Sequence, residues 1–346
     1  MNFGIVGTGL IADFHAKAIG EIPGSKVIAC MDKIPERAES FAKKYGCTGY
    51  ADLDAFLAHP GLEIVTICTP SGSHMETAVA AAKAGKHLIV EKPIEITLER
   101  IDAIIEACEK NRVSLCGIFP SRYHEAAGLV KKAVEEKRFG QITLGSAYVK
   151  WFRNQEYYDK GGWKGTKKFD GGGALMNQSI HAIDLLQWFM GPVESVMAYS
   201  ATLGHQRIEV EDTAVAALRF KNGALGVIEG STAVYPGFLK RIEISGVSGS
   251  AILEEENLKT WSFAEKRAGD DAIRERFAAK TASGGGAADP AAIGYQGHRK
   301  QFEEAIAAIK AGKKPLVDGR EARKAVEIIL AVYRSAETGR EVKLPL

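Results

Sequence analysis

The 346-residue chain carries only five cysteines, Cys30, Cys47, Cys68, Cys108 and Cys116. Their number is odd and none form a CxxC pair, which argues against a disulfide framework or a cysteine metal centre. Reduced thiols of this kind suit a cytoplasmic protein. No apolar run is long enough to cross a bilayer. The N-terminus enters a strand pattern at once, which leaves no signal-peptide segment. Charge of one sign is also lacking: 45 Lys and Arg stand against 43 Asp and Glu. Without a basic block there is no footing for nucleic acid or a membrane surface. Tandem repeats are absent too. What remains is a globular composition, 46% hydrophobic and 25% charged, long enough for two separate cores.

The first positive signal is the opening stretch Phe3-Gly4-Ile5-Val6-Gly7-Thr8-Gly9-Leu10-Ile11-Ala12. A short apolar run enters a Gly-x-Gly-x-x-Ala turn, and a helical pattern leaves it. In a dinucleotide site, Gly7 permits the tight turn and Gly9 lets the main chain approach a pyrophosphate. Ala12 allows close helix–strand packing, while the N–H groups at Leu10 and Ile11 face the phosphates. A second apolar run, Lys26–Met31, ends at Asp32, the spacing at which an acidic side chain receives the adenosine ribose hydroxyls. Asp32 favours NAD because its carboxylate repels a 2′-phosphate; Lys33 and Arg37 leave NADP open.

To about residue 122, strand-like runs alternate with helical patterns. The expected fold is therefore α/β: a doubly wound parallel Rossmann sheet over residues 1–122, with its ligand at the carboxyl ends of the strands. Thr69-Pro70 with His74, and Glu91-Lys92-Pro93, stand at such ends. Beyond residue 122 the pattern changes, and residues 123–346 read as an α+β domain with a largely antiparallel sheet. Asn222-Gly223 signals a hairpin turn. Residues 151–173 read as an irregular segment over a site, and residues 266–293, with a Gly/Ala-rich run at 282–288, as a loop. A broad sheet needs cover on both faces, so its outer face is expected to pair with another subunit.

Lys92, beside a cationic nicotinamide, could hydrogen-bond a reacting hydroxyl and share in proton transfer. A surface lysine before a structural proline would look the same. Asn177, His181 and Asp184 are spaced i, i+4 and i+7, which places them on one face of a helix expected from about 174 to 190. His181 suits a general base, since its ordinary pKa lies near working pH; an internally satisfied core histidine fits the same pattern. No metal is expected, because Asn is a poor ligand and no second His lies at helical spacing. Trp151, Arg153, Trp163 and Lys164–Lys168 place aromatics beside cations, which suits a sugar with a carboxylate or phosphate, or a plain solvated loop.

Gly7-Thr8-Gly9, Thr69-Pro70 with His74, Glu91-Lys92-Pro93, and Gly171-Gly172-Gly173 with His181 and Asp184 resemble the Gfo/Idh/MocA oxidoreductase family along nearly the whole chain. The resemblance implies hydride transfer between a nicotinamide cofactor and a hydroxyl or carbonyl carbon of a sugar, polyol or derivative. It also implies dimers or tetramers built through the C-terminal sheet. Lys92 matches the family's Glu-Lys-Pro lysine, His181 its acid/base histidine, and His74 a residue lining the nicotinamide end. Arg122 and Tyr123 join Lys92, Trp151, Arg153, Trp163, Asn177 and His181 as candidate substrate contacts. Inositol-dehydrogenase-like members carry Asp four residues before the histidine, where this chain has Asn177. That amide also looks similar to the branch acting at C3 of nucleotide-linked sugar acids. Two alternatives keep the same residues: an NAD-retaining glycoside hydrolase or lyase that oxidises a hydroxyl transiently, with Tyr123, His124 or Glu125 as the extra acid/base, and a non-catalytic NAD or sugar sensor.

Overall fold

The computed structural model describes residues 1–160, 162–278 and 294–346. By internal contact the chain forms two units, Met1–Pro120 with Gly294–Arg323, and Ser121–Ile293 with Lys324–Leu346. This division departs from a single cut after residue 122.

In the first unit, strands β1 (Asn2–Val6), β2 (Lys26–Met31), β3 (Thr48–Tyr50), β4 (Ile64–Ile67), β5 (His87–Val90) and β6 (Leu115–Gly117) pair in the order β3-β2-β1-β4-β5-β6. Every pairing is parallel. The intervening helices are α1 (Leu10–Gly20), α2 (Pro35–Tyr45), α3 (Leu53–Leu57), α4 (His74–Lys83) and α5 (Leu98–Lys110). Their ends follow from local chemistry. Asp52 and Thr97 cap α3 and α5 by accepting from Ala55 N and Arg100 N, and Gly46 closes α2 in the left-handed conformation. The order places β1 beside β4, where the crossovers diverge and a Rossmann sheet opens its ligand crevice.

The second unit begins with α6 (Glu125–Glu135), β7 (Ile142–Lys150) and the short α7 (Gln155–Asp159). A π-helical turn, Ala174–Ser179, then leads into α8 (Ile180–Met190). Strands β8 (Val193–Ala201), β9 (Thr213–Phe220), β10 (Leu225–Ser231), β11 (Arg241–Gly246), β12 (Gly249–Glu254) and β13 (Asn257–Phe263) precede α9 (Asp270–Ala278). The chain ends with α10 (Gln296–Lys310), α11 (Gly319–Thr338) and β14 (Val342–Lys343). The eight-stranded order is β13-β12-β11-β7-β10-β9-β8-β14. All neighbours are antiparallel except β7 and β10. Asn222-Gly223 turns β9 into β10, with Gly223 at φ +87°.

Helix α10 joins the first unit because its apolar stripe completes that core. Phe302 lies 6.2 Å from Phe3, ring to ring. Gln301 donates to Gly117 O at 2.7 Å and accepts from Phe119 N at 3.0 Å. Of the segment read as a loop from 266, Asp270–Ala278 is helical and 279–293 lies outside the described residues. The helix is fixed by one distant and one nearby partner: Asp270 accepts a bidentate pair from Arg138 at 2.8 and 2.7 Å, and the Trp261 indole N–H at 2.8 Å. The helix expected from 174 to 190 is α-helical only from Ile180.

The cause lies in the glycines ahead of that turn. Gly173 has φ −106° and ψ −107°, and a Cβ there would lie 1.8 Å from the Glu211 carbonyl oxygen. A Cβ on Gly172 would lie 2.2 Å from the Tyr333 hydroxyl. Into this space the Glu211 carboxylate accepts from Gly173 N at 2.9 Å, Leu175 N at 2.8 Å and the Tyr333 hydroxyl at 2.8 Å. Gly173→Ala is expected to lower unfolding stability by about 1–3 kcal/mol. Gly128→Ala, within α6 and with open space around it, should be neutral or stabilising by about 0.5–1 kcal/mol. Urea unfolding of the two variants measures both.

Candidate active site

In the first unit the glycine turn is shaped by main-chain packing. Gly7 has φ +86°, and a Cβ there would lie 2.9 Å from the main chain of Cys68 and Thr69. Gly9 is the N-cap of α1; no side chain caps that helix, and a Cβ on Gly9 would meet nothing within 4 Å. Leu10 is exposed and Ile11 half-buried. The first-turn N–H groups thus border open space, which fits a pyrophosphate. Asp32 is held at the end of β2: Oδ2 accepts from Thr8 N at 3.0 Å and Thr8 Oγ1 at 2.9 Å, and Oδ1 from Ile34 N at 3.0 Å. A carboxylate oriented this way keeps lone pairs for ribose hydroxyls. Lys33 and Arg37 are exposed just beyond it. These residues fit a bound dinucleotide.

His74 is buried, and its ring bridges two loops. Nε2 lies 2.9 Å from Thr69 O, and Nδ1 lies 3.0 Å from Pro93 O. It thereby ties Thr69-Pro70 to the segment after Lys92. Lys92 is half-buried. The Glu91 carboxylate turns inward to His15 Nε2 at 2.8 Å, while its other oxygen accepts from Lys92 N at 3.0 Å. Burial pushes the Glu91 carboxyl up, but the hydrogen bond from His15 and the nearby His298 ring outweigh it and hold it well below the usual carboxylate range. Burial pushes His15 down, against the pull of Glu91.

In the second unit the π turn gathers a polar network. Asn177 Nδ2 donates to Asp170 Oδ1, and Asn177 Oδ1 accepts from Gln178 Nε2 at 3.1 Å. Gln178 also donates to the Tyr157 hydroxyl at 3.0 Å and accepts from Arg153 Nη2 at 3.0 Å. The second oxygen of Asp170 accepts from Gly165 N at 2.8 Å. Arg153 lies over the rings of Trp151 and Tyr157, and Lys164 Nζ stands 3.8 Å from the Tyr157 centroid. Trp151 is buried, while Trp163 and Tyr123 are half-buried. His181, the second residue of α8, is half-buried.

Asp184 is fully buried and receives a bidentate pair from Arg122 at 2.8 and 2.7 Å. Arg122 also lies over Trp188. The π turn, Ala174–Ser179, alters the spacing of Asn177 from the residues of α8, while His181 and Asp184 both lie within α8. Sequence reading passed over Asp170, Tyr157, Gln178, Glu211, His15 and His298. Only Asp170, directly ahead of the triple glycine, carried a local signal.

Comparison with known proteins follows from this geometry. Residues 1–117 match the oxidoreductase family with an NAD-binding Rossmann fold, and residues 129–252 match the Gfo/Idh/MocA C-terminal domain. The chain belongs to the Gfo/Idh/MocA oxidoreductase family. The WlbA dehydrogenase of Bordetella pertussis, solved with NADH and UDP-GlcNAcA, is 36% identical, with TM-score 0.89 over 99% of this chain and 97% of that one. Levoglucosan dehydrogenase, solved with NADH and levoglucosan, is 26% identical, with TM-score 0.85 over the full length of both. The myo-inositol 2-dehydrogenase of Thermotoga maritima is 28% identical over 99% of this chain and 98% of its own. This Gfo/Idh/MocA member is an NAD-dependent dehydrogenase acting on the CH–OH group of a sugar-like or polyol substrate. Its relatives do not favour the transient-oxidation glycosidase or the sensor. Among the described residues, no helix is long and apolar enough to cross a membrane.

The ionisation of this family member's buried groups sets a stability profile. His15 stays neutral and Glu91 ionised in the folded state, so both take up protons more readily when unfolded. Their contribution is present above the ordinary histidine value of 6.5 and is lost as pH falls below it, then further through the carboxylate range. Urea midpoints should therefore fall between pH 7.5 and pH 5; a flat series would contradict the assignment.

Proposed function

We propose that the substrate is a nucleotide-linked sugar acid, oxidised at C3 with NAD. The observation that carries this reading is Asn177. Its amide is committed to Asp170 and Gln178 where inositol-dehydrogenase-like members hold a carboxylate. An amide cannot take a proton, so the hydroxyl proton falls to His181. The full-length likeness to WlbA, solved with UDP-GlcNAcA, supports the same substrate class. So do Arg153 and Lys164 beside Tyr157, which suit an anionic, ring-bearing ligand. Asp32 favours NAD over NADP by charge.

In the mechanism, the bound cofactor supplies the hydride acceptor. Gly7, Thr8, Gly9, Leu10 and Ile11 hold its phosphates, Asp32 its ribose, and Thr69, Pro70, His74 and Glu91 frame the loops at its nicotinamide end. His181 takes the proton from the substrate hydroxyl. Lys92 donates a hydrogen bond to the same oxygen and favours its developing negative charge. Trp151, Trp163, Arg122 and Tyr123 complete the substrate contacts.

The outer face of the eight-stranded sheet carries exposed Leu144, Met197, Tyr199, Val215 and Leu225, while α8 packs on the opposite face. We infer a homo-dimer or homo-tetramer formed through that outer face. Five free thiols support a reducing compartment, the cytoplasm.

Two experiments test these readings. Lys92→Ala and His181→Ala, folded and still binding NAD, should each lose about 10²- to 10⁴-fold in kcat in an NADH absorbance assay with UDP-sugar acids. Wild-type turnover in either would reject its role, and activity confined to free polyols would reject the substrate class. Val215→Asp should yield smaller species in light scattering, and an unchanged mass would remove this face as the contact.

A further inference from the structure

Behind Lys92 lies a cluster that the proposed chemistry does not use. Glu91 directly follows β5, and its carboxylate is buried, as are His15 from α1 and His298 from α10. Oε1 of Glu91 accepts from His15 Nε2 at 2.8 Å, with His298 Nε2 at 3.6 Å from the same oxygen. Oε2 accepts from the main-chain N–H of Lys92 at 3.0 Å. On its far side, His15 Nδ1 meets Thr66 Oγ1 at 2.7 Å and Cys68 Sγ at 3.3 Å, both from the β4 end of the sheet. The His15 and His298 rings lie 5.4 Å apart, and Phe302 meets His15 edge-on at 5.0 Å.

Two histidines and a carboxylate could suggest a metal. The spacing argues otherwise. Both His15 nitrogens already stand at hydrogen-bond length from oxygen, and the carboxylate is shared between His15 and the main chain. His15 and Glu91 satisfy one another without an ion, and His298 packs beside them with its Nδ1 buried and without a hydrogen-bond partner. The tautomer follows: a carboxylate only accepts, so His15 Nε2 carries the proton and Nδ1 accepts from Thr66.

We propose that His15 and His298 are positioning residues for Lys92, acting through the Glu91 carboxylate, which holds the Lys92 main chain at the end of β5. This rests on the reading of Lys92 as the hydrogen-bond donor to the reacting hydroxyl. A buried, ionised carboxylate bonded to one specific N–H restrains that residue more firmly than a neutral acceptor would. A displacement of about 1 Å at a reacting group can cost on the order of 10²-fold in rate. The groups around Glu91 are His15 from α1 with Thr66 of β4 on its far side, Cys68 just after β4, His298 from α10 and Lys92 itself.

The test compares Glu91→Gln, His298→Gln and Lys92→Ala in the full chain. NAD affinity, read by fluorescence, reports that each variant is folded. His298→Gln should bind NAD within about threefold of wild type, and both positioning variants should lose roughly tenfold or more in kcat, with little change in substrate KM. In Glu91→Gln the alkaline limb of the kcat profile should also move to lower pH, because removing the neighbouring anion favours the uncharged amine. In His298→Gln, which leaves Glu91 charged, that limb should stay in place. Should Glu91→Gln fail to bind NAD, His298→Gln carries the test. Wild-type kcat and pH profile in His298→Gln, alongside an inactive Lys92→Ala, overturns the positioning role alone. An active Lys92→Ala overturns the role of Lys92 and this proposal with it.

Discussion

Gly7 packs against the main chain of Cys68 and Thr69 with no room for a Cβ, and much of the first unit depends on that approach. It brings the turn after β1 and the turn after β4 together where the sheet order diverges. Once these turns touch, the first-turn N–H groups of α1 and the Asp32 carboxylate can address one ligand. The next strand then delivers Glu91-Lys92 alongside the Thr69-Pro70 loop. His74 locks that arrangement through backbone carbonyls of both loops. The glycine turn is therefore a packing joint as well as a phosphate cradle.

The second unit solves a similar problem by other means. Its site-bearing helix begins in a π turn because Glu211 and Tyr333 occupy the space that side chains on Gly172 and Gly173 would fill. Burial pushes the Glu211 carboxyl up, while the hydrogen bonds it accepts from Leu175, Gly173 and Tyr333 oppose the shift. The turn carries Asn177 beside Asp170 and Gln178, while Asp184, on the α-helical stretch beyond it, receives Arg122. One helix thus presents polar groups to separate neighbourhoods.

These two cases mark how much of the molecule was legible in its sequence. The Rossmann strands were legible because apolar runs of limited length end in glycine, proline or acidic punctuation, all local signals. Asp32 and the Asn222-Gly223 hairpin were legible for the same reason. The division into units was not, since α10 enters the first core through Phe302 and Gln301, and no local pattern reports such contacts. Nor was the helix at Asp270–Ala278, which is anchored by Arg138 and Trp261. The network around Asn177 was hidden because a π turn has no periodic signature. His15 and His298 looked like ordinary members of amphipathic helices.

The late return of α10 has a consequence for synthesis. The nucleotide-binding strands leave the ribosome before α10, and Phe302, Gln301 and His298 follow only after β7 to β13 of the second sheet have been made. Until then Phe3 lacks an aromatic neighbour, the main chain at Gly117 and Phe119 lacks its Gln301 partner, and Glu91 has one histidine rather than two. The nascent first unit must wait with part of its core uncovered. Strict domain-by-domain folding from the N-terminus thus does not apply here: β7 to β13 of the second unit can pair before the first unit is closed, and β14 is added to that sheet last.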